Sequence, residues 1–223
     1  MGESVRLAKV APSLLSADLT RLAEELREVE AAGADLLHLD VMDGVFVPNL
    51  TFGPILCEAV RRVTRLPLDA HLMVAHPEPL LAPFAEAGVQ RLSVHLEAVP
   101  HLHRLLRRVQ ELGMVPGVAL NPLTPVSLLD EVWPFVGFIV VMSVNPGYGG
   151  QGLIPEILGK LAKLASLRDQ RAPAVELVVD GGVTEQNAAA LRAAGADILV
   201  AGTAVFGAKD RPKAVAQLKG VVS

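Results

Sequence analysis

A unit of amphipathic helix, glycine, short apolar strand and polar loop recurs along the chain, and that alternation predicts a parallel α/β fold. Eight such units in 223 residues fit a closed (β/α)8 TIM barrel, one domain spanning residues 1–223. An open doubly wound sheet is the alternative. It needs fewer units, and it leaves unexplained why polar residues gather at so many strand ends. The pentapeptide AAGAD occurs at 31–35 and again at 193–197, each time between a helix and a strand. EAGVQ (86–90) and ELGMV (111–115) echo it. No linker or low-complexity stretch divides the chain.

The elements follow in order. Strand one is expected at 10–15. Ser16 or Asp18 can cap the helix after it, where Leu19, Leu22, Ala23, Leu26 and Val29 recur at helical spacing until Gly33. Strand two covers 36–42, and Gly53-Pro54 opens a helix with proline at a tolerated first position. Strand three covers 68–74; Pro77 opens the helix that Gly88 closes. Strand four, 91–95, leads to a helix with Val99, Leu102, Leu105, Leu106 and Val109 on one face, ended by Gly113. Strand five, 115–120, precedes a short helix over 126–133. Strand six, 138–142, runs into a long loop to Gly152 and a helix from 155 to about 171. After strand seven, 175–179, Thr184 caps a helix that Gly195 ends. Strand eight, 198–201, is followed by a turn of helix and a last helix after Pro212.

Composition narrows the function classes. The chain is 51% hydrophobic and 20% charged, ordinary for a globular protein. Mean hydropathy is +0.42, yet no apolar run approaches the roughly 18 residues of a spanning helix. Buried strands account for it, and no membrane partner is expected. The opening MGESVRLAKV lacks the apolar segment of a secretory leader. The single cysteine, Cys57, excludes an intrachain disulfide, so a cytoplasmic location is expected. A net charge of −4, dispersed basic residues and one tryptophan with one tyrosine argue against nucleic acid as a partner.

The chemistry is expected at 36–49, LLHLDVMDGVFVPN. Alternation along a strand puts His38, Asp40 and Met42 on one face and Leu37, Leu39 and Val41 on the other. Burying an ionised carboxylate costs too much unless something positive pairs with it. A structural His–Asp pair would answer that, and so would a divalent cation. In a barrel of this kind the site forms at the C-terminal strand ends. Those ends carry Ser13, His38 with Asp40, His71, His95, Met142, Asp180 and Gly202, and Asp69, His71 and Met73 alternate on strand three. His38, Asp40, His71 and Asp180 can converge over the mouth, a donor set suited to one divalent metal ion: Zn, Fe(II), Mn or Co. Met42, Met73 and Met142 point inward beside them as an apolar, polarisable wall, although core filling is the commoner use of methionine.

Glycines mark the last three loops: Asn145 to Gln151 with Gly147, Tyr148, Gly149 and Gly150, then Gly181-Gly182, then Gly202-Thr203. They let backbone N–H groups approach an anion, and barrels often bind phosphate there; Thr203 could cap the short helix that follows. A metal, two carboxylates and a phosphate grip suggest proton transfer beside the carbonyl of a small phosphorylated sugar. An enediolate is planar, so a carboxylate on each face can take a proton from one side and return one on the other. Asp40 and Asp180 have the placement for general base and general acid.

APSLLSAD (11–18), HLDVMDGVFVPNLTFGP (38–54), DAHLMV (69–74), VMSVNPGYGGQ (141–151), DGGV (180–183) and AGTAVF (201–206) closely resemble the ribulose-phosphate 3-epimerase family, in the same order over nearly the whole chain. The resemblance implies interconversion of D-ribulose 5-phosphate and D-xylulose 5-phosphate in the pentose phosphate pathway, with a bound divalent metal and a homo-oligomeric assembly. It implies Asp40 as proton acceptor and Asp180 as donor, and His38, Asp40, His71 and Asp180 as metal ligands. Ser13, residues 147–150, Asp180 to Gly182 and Gly202-Thr203 match its substrate contacts. The family usually has Ser where Thr203 stands, and both offer a hydroxyl. Val45 replaces a commoner polar residue and has no reading. His76, His95, His101 and His103 receive no role. The rivals are an epimerase of a six-carbon ketose phosphate such as allulose 6-phosphate, a phosphate-binding barrel lyase, and a phosphosugar-binding module without catalysis. A lyase is expected to bring a lysine to the site, and none of the six (9, 160, 163, 209, 213, 219) lies near a strand's C-terminal end.

Overall fold

The computed structural model describes residues 7–221. The first six residues of the stretch read above as no secretory leader lie outside them. Eight parallel strands form one sheet: β1 (Lys9–Pro12), β2 (Leu37–Met42), β3 (Leu68–Met73), β4 (Arg91–His95), β5 (Val115–Leu120), β6 (Phe138–Met142), β7 (Glu176–Asp180) and β8 (Ile198–Ala201). Neighbours run β1-β8-β7-β6-β5-β4-β3-β2, and a parallel bridge between Ser13 and His38 brings the two ends together. The eight-stranded barrel is therefore what forms, and the open sheet is not.

The helices are α1 (Leu22–Ala31), α2 (Pro54–Arg61), α3 (Leu81–Glu86), α4 (Leu102–Glu111), α5 (Ile157–Arg171), α6 (Glu185–Ala193), α7 (Thr203–Phe206) and α8 (Arg211–Lys219). They pack against the outward strand residues, where Leu37, Leu39 and Val41 lie buried with Leu26, Val29 and Val60. Inward residues make a second core that includes Ala11, Phe138, Val140, Val178 and Ile198. The two-residue period of the strands thus separates two cores, as the sequence of β2 requires.

The AAGAD repeat has one physical meaning. Each glycine ends its helix in the left-handed conformation, with φ of 88° at Gly33 and 111° at Gly195. Two residues on, Asp35 donates its N–H to Val10 and accepts the Val10 N–H on Oδ2 at 2.8 Å. Asp197 repeats both contacts with Leu177 on β7, and Gln90 of EAGVQ repeats them with Leu68 on β3. A polar side chain here ties each of these three incoming strands to its neighbour at the N-terminal end of the barrel.

Several boundaries depart from expectation. β1 stops at Pro12, because the Ser13 hydroxyl accepts the Leu15 N–H and starts a 3-10 turn, Leu14–Ser16. Asp18 caps a second such turn, Leu19–Arg21, and α1 itself has no side-chain cap. The helix expected over 126–133 is only two 3-10 turns, Val126–Leu129 and Trp133–Phe135, so one unit of the eight lacks its α-helix. Pro134 follows that span directly; a proline lacks the N–H that would continue a helix and disfavours helical backbone at the residue before it, so no α-helix runs on through Trp133. Thr203 is the first residue of α7, and Gly202 occupies the capping position.

Candidate active site

The inward face of β2 and β3 delivers the polar groups. Register sets Asp40 beside His71 and His38 beside Asp69, one layer lower. Asp180 ends β7, next to Met142 on β6 and Val200 on β8. His38 and His71 are fully buried, and Asp40 and Asp180 nearly so. One donor atom from each of the four lies within 4.8 Å of all the others.

The contacts are specific to single atoms. His38 Nε2 stands 3.5 Å from Asp40 Oδ1 and 3.5 Å from Asp180 Oδ2. His71 Nδ1 stands 3.1 Å from the same Asp180 oxygen and 3.9 Å from the same Asp40 oxygen. Four donors about 2 Å from a tetrahedral ion stand about 3.3 Å apart, close to these separations. His38 Nε2 is buried without a hydrogen-bond partner, which a buried polar atom rarely tolerates. Two imidazoles and two carboxylates around one point, with an orphaned nitrogen among them, fit a divalent cation.

The electrostatics agree. Burial alone would lower the His38 pKa, but the Asp40 carboxylate, with Asp180 and Asp69 close by, holds it well above the usual histidine value. Burial would raise Asp180, and its approach to His38 and His71 holds it well below the carboxylate range instead. The cluster strongly favours positive charge between its carboxylates.

Around this cluster lies a cavity of about 300 Å³ at the C-terminal end of the barrel. Asp40, Asp180 and Ser13 line it, as do Met42, Met73 and Met142. So do Gly147 to Gly150, Gly181, Gly182, Gly202 and Thr203. Of the expected site residues only His38 and His71 do not; they lie beneath the cavity floor. The Ser13 hydroxyl donates to Asp40 Oδ2 at 2.5 Å, leaving Oδ1 toward the imidazoles. Met42 and Met73 pack with Val47, and Met142 belongs to the inner barrel core. Gly182 has φ of 62°, and a Cβ there would stand 2.5 Å from the Leu153 nitrogen, so the turn itself demands glycine. A Cβ on Gly202 would stand 2.3 Å from the Ser16 hydroxyl. Close packing between loops thus explains part of the glycine pattern that an anion would also use.

Other groups were not given roles by the sequence. His38 Nδ1 lies 3.0 Å from Asp69 Oδ2, and His71 Nε2 lies 3.0 Å from His95 Nε2. His95 Nδ1 in turn lies 3.2 Å from Glu97 Oε2. Burial lowers His95 to about 4, so the ring is neutral and can both donate and accept. Burial would raise Glu97, but bonds from His95, Thr124 and the Asn121 N–H bring it down to about 2. Thr51 donates to the Asp40 carbonyl at 2.5 Å and accepts the Met42 N–H at 3.0 Å, extending the edge of β2 beyond the end of β1. The strand period already places Asp69 on the inward face; nothing in the sequence pairs Glu97 or Thr51 with the site. Lys160 does reach the loop after β5, contrary to expectation, but its ammonium is bonded to the Asn121 and Pro122 carbonyls and does not line the cavity. Cys57 is buried with its thiol pushed up to about 12 by burial, which removes it as a nucleophile.

Among the described residues no helix is long and apolar enough to cross a membrane. In solved structures the same barrel is found in a mutant tryptophan synthase alpha-subunit from Pyrococcus furiosus, with TM-score 0.70 and 17% identity over 97% of this chain and 100% of that one. It is found again in KGPDC from Streptococcus mutans, with TM-score 0.71 and 15% identity over 96% of each chain. At such identities only the fold is shared. Sequence relatives are far closer. Ribulose-phosphate 3-epimerase of Bacillus subtilis (strain 168) is 48% identical over 96% of this chain and 99% of its own. The Synechocystis enzyme of the same name is 48% identical over 94% and 92%, and the chloroplastic ribulose-5-phosphate-3-epimerase of Arabidopsis thaliana 46% over 94% and 75%. The model of the ribulose-phosphate 3 epimerase family matches residues 9–206, which takes in every strand and all of the cluster, and the chain belongs to that family.

Proposed function

We propose that the protein interconverts D-ribulose 5-phosphate and D-xylulose 5-phosphate by passing the C3 proton to Asp40 and returning a different, solvent-exchangeable proton from Asp180. One observation carries the reading: two carboxylates from β2 and β7 line the same cavity, with two buried imidazoles between them. Family membership supports the substrate. A Zn, Fe(II), Mn or Co ion held by His38, Asp40, His71 and Asp180 would supply a Lewis acid for the substrate carbonyl.

The chain's own groups do the rest. Asp40, its Oδ2 held by Ser13, takes the C3 proton on one face of the substrate. Asp180 uses Oδ2 toward His71, which leaves its other oxygen free to take up a solvent proton and deliver it on the opposite face; Asp40 then releases the C3 proton to solvent before the next turnover. The inverted centre follows from the planarity of the enediolate, and the carboxylates exchange roles in the reverse direction. Met42, Met73 and Met142 exclude water from the anion without offering it a proton. Gly147 with Tyr148, Gly149 and Gly150, the Gly181-Gly182 turn, and Gly202 with Thr203 bind the phosphate through backbone N–H groups. A cytoplasmic homo-oligomer belongs to the same reading, and gel filtration of the purified protein tests the assembly.

The test is a coupled assay on ribulose 5-phosphate, run on chelator-stripped protein with each metal restored in turn. Turnover should vanish on stripping and return with at least one ion, and xylulose 5-phosphate formed in D2O should carry deuterium at C3. Full activity without metal would reject the Lewis-acid part. A preference for allulose 6-phosphate, or release of a carbon fragment, would reject the substrate.

A further inference from the structure

A column of charge runs through the centre of the barrel below the site. Lys9 donates to Glu176 Oε1 at 2.7 Å, and Arg91 donates to Glu176 Oε2 at 2.5 Å. The Arg91 Nε lies 3.6 Å from Asp69 Oδ1, and Asp69 Oδ2 lies 3.0 Å from His38 Nδ1. The signs alternate from the N-terminal face, where Lys9 is exposed, to the fully buried His38. The Arg91 guanidinium also lies over the Phe138 ring, 4.1 Å from its centroid, on β6.

Stability alone does not account for this column. Buried ion pairs repay little more than their desolvation, and apolar side chains of the same size pack at least as well. The pairing is also imperfect: Asp69 Oδ1 and Arg91 Nε are buried without a hydrogen bond, held by charge at a distance beyond one. What the column does accomplish is directional. Asp69 Oδ1 faces the Arg91 charge, so Oδ2 stays turned toward His38 Nδ1. An acceptor there keeps the ring proton on Nδ1, and the lone pair of Nε2 is then aimed between Asp40 and Asp180.

We propose that Arg91 is a positioning residue for the metal site: through Asp69 it holds His38 in the tautomer and orientation that present Nε2 to the cation. The inference rests on the metal reading of the cluster. Glu176, itself held by Lys9, anchors the guanidinium from the other side.

The experiment measures metal affinity, not turnover. Stripped wild-type protein, Arg91→Met, Arg91→Lys and Asp69→Asn are titrated with MnCl2 by calorimetry, and the visible spectrum of each is recorded with CoCl2. Circular dichroism establishes that each stripped variant is folded. Arg91→Met, which keeps an apolar stem and removes the charge, should weaken Mn(II) binding by about 10- to 100-fold. Arg91→Lys should recover most of that loss. Asp69→Asn, which leaves the column's volume intact, should weaken binding in the same range and shift the Co(II) bands. Wild-type affinity in folded Arg91→Met would overturn the proposal, as would wild-type affinity with an unchanged Co(II) spectrum in folded Asp69→Asn, the variant that still tests it if Arg91→Met does not fold. A wild-type protein that binds neither ion would overturn the metal reading, and this proposal with it.

Discussion

His38 and His71 stand on adjacent strands and face the same two carboxylate oxygens, yet they do so with different nitrogens and different support. His38 uses Nε2 and rests Nδ1 on Asp69; His71 uses Nδ1 and rests Nε2 on His95. Register explains the difference. His71 pairs with Asp40 in the upper layer, so its near nitrogen is already at the right height. His38 sits one layer lower and must reach up with the nitrogen farther from its backbone. Its remaining nitrogen then falls inside the barrel, where only a charged column from the far end supplies an acceptor. The remaining nitrogen of His71 falls toward the end of β4, where a neutral imidazole and then Glu97 continue to the surface. One layer of offset thus decides whether a candidate ligand is backed by an ion or by a neutral ring.

The largest effect is expected where the two arms meet. Asp40→Asn and Asp180→Asn should each lower kcat by at least about 10²–10⁴-fold with the fold retained, as for loss of a general acid or base. Near wild-type epimerisation in either would refute the two-carboxylate mechanism.

Next is pH, because the arms titrate in opposite directions in metal-free protein. His95, lowered to about 4, is neutral in the fold and protonated in the unfolded chain at pH 5. Its contribution is present above pH 6.5 and lost as pH falls toward 4, up to about 3 kcal/mol. His38, raised well above its usual value, contributes below pH 6.5 and loses that contribution as pH rises through its folded pKa. Urea midpoints of stripped protein at pH 7 and pH 5 should differ less in His95→Gln than in wild type. An equal pH response in the two proteins would remove His95 from the account.

Glu97→Gln should cost less than Asp69→Asn, on the order of a few-fold in Mn(II) affinity, since Glu97 acts through one more ring. A larger loss for Glu97→Gln would reverse the ranking of the arms. The smallest effect belongs to Thr203→Ser, which keeps the hydroxyl and should change KM for ribulose 5-phosphate less than about twofold.

The reach of the sequence shows in particular residues. The period of two in LHLDVM put His38 and Asp40 on the cavity side and Leu37, Leu39 and Val41 against the helices. AAGAD marked two helix-to-strand junctions, because a left-handed glycine and a short polar side chain are local requirements. Over 126–133 the local reading failed: the apolar spacing suggested a helix, and the span from Pro125 through Pro134 folds as two 3-10 turns. The end of β1 was missed because the Ser13 hydroxyl, while donating to Asp40, also accepts the Leu15 N–H and turns the chain out of the strand.

The sequence by itself determined the parallel barrel, the inward placement of the four ligand candidates and the three glycine loops, because side-chain period and helix stops act between near neighbours. Only the tertiary structure decided which nitrogen of each imidazole faces the carboxylates, and that Asp69, Arg91 and Glu176 stand in line behind one of them. Those relations join β2, β3, β4 and β7, up to 138 positions apart between His38 and Glu176. Strand register sets them, and register is a property of the closed barrel that no single stretch of chain carries.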